Sequence, residues 1–538
     1  MMLLAQAPPT TPVSVVPLYV IGAYLGLLVV LGLVSARAFR GTSGDFFVAS
    51  RSIGPFMLLM SVFGTTMTAF ALVGSTGKAF DLGIGVYGLM ASWSGLIHAG
   101  VFFLIGIKLW AIGKRYGYVT QIQYFRDRFE SPTLGYLLFP ILVLLVIPYL
   151  LVGLLGAGSF ITGVTRGMFP EMFASTNGSV PTWLTGLVIS GVVLFYVFFG
   201  GVRSAAWANT FQTLVFMVMG VVAFVMIAHA LGGMSAASQA VIEHAPQKAA
   251  REGMIGKAQF LTYCFIPLSV GMFPHLFQHW LTARSAKSFR LTVIAHPVCI
   301  MIVWLPCIMI GIWAAAKVGA GELRAPPSSN AVLGLMVNRY VASDLLTGLL
   351  AAGVLAAIMS SLDSQFVCIG SMFTNDVVIP LTGRDRFSDH QRLWLGRGFV
   401  IAVVFVTYLI SLTNPGHVFD LGVWCFTGFA SLFPLVFAAI YWKRTTRAGA
   451  IACVVTTAVV WAMFFSDAMI FTDKGYLGQK DPGTEEYLVN GVMAVTFVFA
   501  ASVISLVVVS LLTKPLSRAT IDKFFAIEKA TATVEPGR

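Results

Sequence analysis

The chain has 538 residues, of which 57% are hydrophobic and only 10% are charged, and it carries a net charge of +12. Soluble domains are about 45–50% apolar and about 25% charged, so this composition excludes an ordinary soluble protein and indicates an integral membrane protein. In a soluble protein the positive charge would suggest a nucleic-acid partner. Here we interpret it as membrane topology and expect no nucleic-acid partner.

Thirteen apolar runs of about 20 residues follow one another along the chain, and each is long enough to cross a bilayer. They lie near 15–36, 55–80, 84–112, 133–163, 182–199, 205–231, 259–281, 290–316, 344–370, 393–412, 417–442, 448–466 and 489–512. The first run is too long for the core of a signal peptide, and no basic segment precedes it. We therefore expect it to remain as a spanning helix.

Basic residues are distributed unevenly among the loops between these runs. With the N-terminus outside and the C-terminus in the cytoplasm, thirteen spans place most of the 34 Lys and Arg residues on the cytoplasmic side. The predicted outer loop 467–488 carries five acidic residues, Asp467, Asp473, Asp481, Glu485 and Glu486. One span more or fewer would remove this asymmetry, so we predict thirteen transmembrane helices.

Two of the runs are interrupted by Gly and Pro. The second reads FGTTMTAFALVGSTGKAFDLG (63–83), with Gly74 and Gly77 around a Ser-Thr pair, and the seventh reads FIPLSVGMFPHLFQHW (265–280), with Pro267, Gly271 and Pro274. Broken helices at corresponding positions are typical of transporters built from inverted repeats, whose binding sites lie at the breaks. The spacing of five spans predicts a five-plus-five repeat over spans two to eleven. Gly and Pro are also tolerated in ordinary membrane helices, which is the alternative.

The ninth run is unusually polar. It contains LAAIMSSLDSQFVCIGSMFTN (355–375), in which Ala357, Ser360, Ser361 and Ser364 fall on one helical face with Asp363 at its edge. Hydroxyls beside a carboxylate are suitable ligands for a small cation, and an ionisable residue at membrane depth indicates a functional site. The alternatives are that the serines mediate helix packing and that Asp363 pairs with a basic residue.

Five motifs in order along the chain resemble those of one family. They are GDFFVASRSIGPF (44–56), GYVTQIQYFRDRFES (117–131), GGVRSAAWANTFQ (200–212), LAAIMSSLDSQ (355–365) and FPLVFAAIYWKRTTRAGA (433–450). Together they resemble the sodium:solute symporter family over roughly residues 20–465. The resemblance implies an all-α protein of the LeuT-type fold that works by alternating access.

We expect the whole chain, 1–538, to be one transporter domain in the cell membrane. It would comprise an extra N-terminal helix at 15–36, a ten-helix inverted-repeat core at 55–442, two further helices at 448–512 and a short cytoplasmic tail at 513–538.

The resemblance also implies a principal sodium site. In the family, this site joins backbone carbonyls of the first core helix to a small residue and two hydroxyls of the eighth. The matching positions are Gly64 and Met67 on the first core helix and Ala357, Ser360 and Ser361 on the eighth. Carbonyls freed near a helix break, together with two hydroxyls, give Na⁺ five oxygen ligands.

The chain departs from the family on the fifth core helix. Many members carry an aspartate there for a second cation, whereas this chain has Asn209, and its carboxylate appears instead as Asp363 beside Ser364 on the eighth core helix. Our hypothesis is that Asp363, Ser364 and Asn209 form a second cation or proton site in which the charge has moved to the neighbouring helix.

The organic solute is expected at the two breaks. Aromatic walls with a few polar groups suit a small organic molecule. The candidate contacts are Thr65, Thr66, Thr68, Phe70, Trp93, Phe273 and His275. Lys78 either attracts anions or extends to the outer surface, and Trp424 and Phe426 either close the site or pack elsewhere.

The resulting prediction is a sodium-coupled symporter that imports a small organic solute, a carboxylate or an amino acid, with Na⁺ as the coupling ion. A proton-coupled carrier that uses Asp363 and a solute-sensing module without transport are the alternatives. An enzyme is disfavoured, because the spans contain no HExxH, no Ser/His/Asp grouping and no paired catalytic carboxylates. The sequence leaves the oligomeric state open.

Overall fold

The computed structural model describes residues 14–37, 51–326, 328–383, 386–413, 416–470, 475–481, 484 and 486–525, without the side chains of 35–37, 199, 200, 203 and 389. Several predicted features lie outside these residues. They are most of the motif at 44–56, the topology-determining Arg40, Arg384, Asp473 and Glu485, and the last part of the predicted tail, 526–538.

The described chain is almost entirely helical. Its helices are α1 (Val16–Arg37), α2 (Pro55–Thr66), α3 (Phe70–Leu82), α4 (Gly85–Tyr116), α5 (Gln121–Arg128), α6 (Pro132–Val164), α7 (Thr182–Phe198), α8 (Ser204–Ala230), α9 (Met234–His244), α10 (Lys257–Gly271), α11 (Pro274–Thr282), α12 (Phe289–Gly319), α13 (Val332–Tyr340), α14 (Asp344–Thr382), α15 (Asp389–Ser411), α16 (Val418–Ser431), α17 (Phe433–Tyr441), α18 (Arg447–Ile470), α19 (Ala494–Leu512) and α20 (Arg518–Phe525). Strands β1 (Gln479–Lys480), β2 (Tyr487–Val489) and β3 (Val492–Met493) form a small antiparallel sheet between α18 and α19.

Each of the thirteen predicted runs coincides with a helix or a helix pair. Among the described residues, ten helices are long and apolar enough to cross a membrane, and two bent pairs raise this number to twelve. The fifth run is the shorter helix α7, which is separated from α8 by a non-helical residue, Gly201 (φ 58°, ψ −151°). The number of membrane crossings, the orientation of the termini and the domain division stay predictions.

The first broken helix is interrupted earlier than the glycines suggest. Helices α2 and α3 meet at 60°, and the break lies between Thr66 and Phe70 rather than around Gly74 and Gly77. Met67 is extended (φ −88°, ψ 92°), and the Thr68 hydroxyl accepts a hydrogen bond from Phe70 N at 3.0 Å. Local capping by threonine therefore restarts the helix. Gly77 instead permits close packing, since a Cβ there would lie 2.7 Å from Ser329 O.

The second broken helix matches its prediction. Helix α10 finishes in a 3₁₀ segment that ends at Gly271, and α11 begins at Pro274 with a bend of 52° between them. Proline is favoured at the first position of a helix, where its missing N–H leaves no partner unsatisfied. The two breaks therefore occupy the first and sixth core helices, as the five-plus-five repeat requires.

Helix α14 lies at the centre of the molecule. It packs against α2, α6, α8 and α15, and α1 covers the outer side of α8 and α14. The stretch from Leu355 to Met372 is buried throughout. This arrangement places the polar residues of α14 against the break between α2 and α3 and against the start of α8.

Candidate ion and solute sites

The candidate first ion site lies between α2 and α14. The Ser360 hydroxyl is 2.8 Å from Gly64 O on α2 and 2.8 Å from Ala357 O on its own helix. All three residues are buried. The structure thus brings Gly64, Ala357 and Ser360 together across the two helices that the sequence pairs.

Met67 and Ser361 occupy neighbouring positions on the same two helices, but their hydrogen bonds are local. The Ser361 hydroxyl donates to Ile358 O at 2.8 Å, and Met67 N donates to Phe63 O and Gly64 O at 3.1 and 3.2 Å. Because the backbone is extended at Met67, α2 ends there. The carbonyls of its last turn therefore receive no hydrogen bonds from helical residues beyond Met67.

Glycine at position 64 allows this contact. A Cβ there would overlap the Thr213 hydroxyl, which itself donates to Met60 O at 3.0 Å. Helix α8 therefore lies directly against α2, and α2 can approach α14 from the other side.

The candidate second cation site surrounds the carboxylate of Asp363. Tyr196 OH on α7 donates to Oδ2 at 3.0 Å, and Ser364 Oγ lies 3.0 Å from Oδ1. With its amide nitrogen facing the carboxylate, Asn209 on α8 donates to Oδ1 and Oδ2 at 3.0 and 2.9 Å, and its carbonyl accepts from Ser364 Oγ at 2.9 Å. We assign this amide orientation because a carboxylate offers acceptors only.

Every hydrogen-bond donor found at the Asp363 carboxylate within the described residues is neutral. Asp363, Asn209 and Tyr196 are each no more than 1% exposed. The alternative in which Asp363 pairs with a basic side chain therefore finds no support in these contacts.

Two residues at the candidate second site were not predicted from the sequence. Tyr196 is one of a few polar side chains on the mostly apolar helix α7, and His279 on α11 places its Nε2 2.9 Å from Ser364 Oγ. A polar residue within an apolar run is a weak pointer, because its partner depends on which helices meet.

A set of rings from four helices forms what we name the aromatic cluster: Phe70, Tyr149, Phe273, His275 and Phe426. Ring centroids lie 4.9 Å apart for Phe70 and Phe426, 5.2 Å for Tyr149 and Phe426, 5.3 Å for Tyr149 and Phe273, and 5.2 Å for Phe273 and His275. The cluster joins the two breaks to α6 and α16. Tyr149 was absent from the sequence-based set.

Several buried polar atoms of the described residues have no hydrogen-bond partner. Thr65 Oγ1 and both ring nitrogens of His275 are buried with no hydrogen-bond partner, and so are both amide atoms of Gln365 on α14. Buried polar groups in native proteins are normally paired, so unpaired ones indicate a place for a ligand or water. Gln365 was also missed, although it lies in the motif that ends at 365.

The other predicted solute contacts lie elsewhere or are already engaged. Thr66 Oγ1 lies 3.2 Å from His296 Nε2, and Thr68 caps α3. Trp93 donates to Phe260 O at 3.0 Å and packs on that ring at the start of α10. Trp424 faces Phe465 and Tyr487, centroid distances 5.6 and 5.8 Å, in a separate hydrophobic cluster.

Lys78 is neither a free anion attractor nor a surface residue. It is 7% exposed, and its Nζ lies 3.0 Å from Glu486 and 3.7 Å from Asp420. It also donates to Thr484 O at 3.1 Å. A cavity of about 590 Å³ opens beside it, between the second half of the first broken helix and Phe419, whose ring stacks on Phe70 at 4.8 Å.

Comparison with known proteins agrees with this architecture. The model of the sodium:solute symporter family matches residues 46–457. The sodium/proline symporters of Staphylococcus aureus strains RF122 and JH9 are each 24% identical to this chain over 458 residues, which cover 82% of this chain and 84% of the relative.

Two solved structures are similar in fold. A Na⁺-coupled sialic acid symporter in a substrate-bound outward-open state has 17% identity and a TM-score of 0.73, and the match covers 94% of this chain and 99% of that one. Mhp1, a nucleobase-cation-symport-1 family transporter, has 14% identity and a TM-score of 0.56, with 89% and 97% coverage. The LeuT-type fold is thereby confirmed.

The match to the family model extends from before the first broken helix to beyond α17, so it includes both candidate ion sites and the aromatic cluster. The chain belongs to the sodium:solute symporter family, and it is a multi-pass plasma-membrane transporter that couples Na⁺ to the movement of a small organic solute.

Proposed function

We propose that the co-transported Na⁺ binds between α2 and α14, where its ligands are the carbonyls of Gly64, Met67 and Ala357 and the hydroxyls of Ser360 and Ser361. The observation that carries this proposal is the Ser360 hydroxyl, held 2.8 Å from both Gly64 O and Ala357 O. Hard oxygen ligands from a helix end and from hydroxyls suit a dehydrated cation. Because α2 ends at the break, ion binding there directly affects the segment that faces the solute.

We further propose that Asp363, Ser364 and Asn209 bind a second cation, either Na⁺ or a proton. A buried carboxylate surrounded by neutral donors is costly without a positive charge, and a cation or a proton supplies it. Tyr196 completes the set of oxygen atoms. Many family members carry an aspartate on α8, whereas this chain has Asn209 there and Asp363 on α14. In both arrangements the negative charge lies between α8 and α14.

The solute is proposed to be a small carboxylate or amino acid. The similar proteins named for proline and sialic acid support this class, since both compounds carry a carboxylate. The aromatic cluster would enclose the apolar part of the solute, while Thr65, His275 and Gln365 offer the buried unpartnered atoms for its polar part.

The test is transport by the purified protein in proteoliposomes. A thermal-shift screen of carboxylates and amino acids with and without Na⁺ first identifies a solute, because a ligand that binds the folded state raises its melting temperature. Radiolabelled solute uptake is then measured with an inward Na⁺ gradient or an inward proton gradient.

Uptake driven by the Na⁺ gradient alone assigns Na⁺ to both sites. Uptake that requires both gradients assigns the proton to Asp363, and uptake driven by the proton gradient alone favours the proton-coupled alternative. Na⁺-dependent binding without any accumulation would favour a sensing module and would contradict the proposal.

A further inference from the structure

His279 provides a physical connection between the second cation site and the solute site. Its Nε2 lies 2.9 Å from Ser364 Oγ, and Ser364 lies 3.0 Å from the Asp363 carboxylate. His279 and Ser364 are each 3% exposed, so water does not compete for this hydrogen bond. The contact joins α11, the second half of a broken core helix, to α14.

The hydrogen bonds around Ser364 determine the direction of this contact. Its hydroxyl has one proton, and three acceptors lie within reach: Asp363 Oδ1 at 3.0 Å, Asn209 O at 2.9 Å and Ser360 O at 3.3 Å. His279 Nε2–H is the donor that the arrangement lacks, so His279 donates to Ser364 Oγ. A cation that binds Ser364 Oγ uses the same lone pairs, and its arrival therefore alters the hydrogen bond to His279.

Helix α11 carries this change to the solute. It spans nine residues, from Pro274 to Thr282, and all of them are buried. His275 lies in the first turn of α11, and Phe273 immediately precedes the helix. Both rings belong to the aromatic cluster. His279 is about one turn further along. A short helix held in a packed interior moves as a unit.

We propose that His279 is a positioning residue that couples occupancy of the second cation site to the placement of Phe273 and His275 at the solute site. This inference rests on the proposed cation site at Asp363. Within the described residues, His279 Nδ1 has no hydrogen-bond partner, so Ser364 holds the only described hydrogen bond of this side chain. The link therefore depends on a single atom pair.

The experiment compares His279→Ala with His279→Gln in proteoliposomes, because the glutamine amide can place a donor where Nε2 lies. We expect His279→Ala to raise the Na⁺ concentration for half-maximal uptake at least about fivefold, the lower end of typical coupling between sites. With Na⁺ saturating, the solute KM should change far less. His279→Gln should restore the Na⁺ dependence.

Thr282→Val is the matched control. Thr282 lies on the same helix and is fully buried, but its hydroxyl donates only to His279 O at 2.6 Å. Its loss should leave the Na⁺ dependence unchanged. In a Ser364→Ala background, His279→Ala should have no further effect on Na⁺ dependence, because the two residues act through one hydrogen bond.

The link is overturned if the Na⁺ dependence and the proton dependence of uptake are both unchanged in His279→Ala, or if the Ala and Gln variants lose equally. Full additivity with Ser364→Ala would do the same. Asp363→Asn in the same assay distinguishes failure of the His279 link from failure of the cation site itself. If Asp363 binds no cation, the Na⁺ and proton dependence of uptake should be unaltered in Asp363→Asn. If His279→Ala does not fold, the decision rests on Ser364→Ala and His279→Gln in the same transport assay.

Discussion

Ser360 shows how a single hydroxyl can belong to two helices. It contacts Gly64 O on α2 and Ala357 O on α14, and both distances are 2.8 Å. In the absence of a cation the hydroxyl proton satisfies these carbonyls, and with a cation all three oxygens can turn toward the ion. The residue therefore stabilises the site in either condition.

Replacing Ser360 with Ala should weaken Na⁺ binding. Loss of one oxygen ligand and of its contacts with two buried carbonyls corresponds to about 1–3 kcal/mol, or roughly 5- to 150-fold in the Na⁺ concentration for half-maximal uptake. Ser371→Ala on the same helix is the control, since that serine is also fully buried but lies three turns away. Equal Na⁺ dependence in the two variants would contradict the first ion site.

Replacing Asp363 with Asn should separate stability from coupling. The neutral amide removes a buried charge that only neutral donors surround, so the variant should melt at a higher temperature than the original chain in Na⁺-free buffer. Added Na⁺ should raise its melting temperature by a smaller amount. A lower melting temperature together with an undiminished Na⁺ response would indicate a structural role for the carboxylate.

At the scale of elements, a glycine in a third helix lies against the break between α2 and α3. Gly156 on α6 faces Ala69, the first helical residue after the break, and an added Cβ would overlap the Ala69 side chain. Helix α6 is largely buried. A larger residue at 156 therefore forces the start of the second half-helix to move.

Gly156→Ala should consequently destabilise the protein by about 1–3 kcal/mol through overpacking, and it should reduce solute uptake. Gly191→Ala is the matched control, because a Cβ at Gly191 on α7 meets open space. That change should be neutral or slightly stabilising, as expected for alanine in a helix. Thermal melting and uptake of both variants, measured in parallel, check the prediction.

The loop between α18 and α19 is held to both broken helices by one carboxylate. Glu486 pairs with Lys78 on α3 at 3.0 Å and accepts from Gln259 Nε2 on α10 at 2.6 Å. All three side chains are buried. The loop therefore links α3, which follows the first break, to α10, which precedes the second break.

Lys78→Met should destabilise the protein by about 3–5 kcal/mol, since it leaves Glu486 buried without a counter-charge. The double variant Lys78→Met with Glu486→Gln should recover part of this loss. Additive losses in melting experiments would show that the two side chains do not interact.

At the scale of the whole molecule, α20, the last described helix, docks against α4 and α5. Phe524 is 6% exposed and lies between Tyr116 and Tyr124, with ring centroids 5.5 and 5.9 Å away. Tyr116 OH also donates to Lys523 O at 2.6 Å. Helix α5 in turn reaches the second break, where Gln121 Nε2 donates to Met272 O at 3.1 Å.

Phe524→Ala should release α20, with a loss of roughly 3 kcal/mol for a buried phenylalanine. Limited proteolysis should then cut the chain after α19 faster than in the original protein. Leu512→Ala is the control, because Leu512 is 80% exposed. Equal cleavage rates in the two variants would contradict the docking of α20.

The sequence by itself determined the long apolar helices, whereas the short helices α5, α9, α13 and α20 were not predicted. Apolar runs of about 20 residues and the Gly and Pro positions predicted all thirteen regions and the second break, because hydropathy and helix breaking are local properties. Motif matching also placed Gly64 opposite Ser360 and Asn209 opposite Asp363.

The tertiary structure alone decided how side chains from distant helices meet. The first break follows from Thr68 and from close packing at Gly156 rather than from Gly74, and Thr66 turns to His296. Tyr196 and His279 reach Asp363 and Ser364 only because α7 and α11 pack against α14. Such contacts depend on helix crossings, which a single sequence does not encode locally.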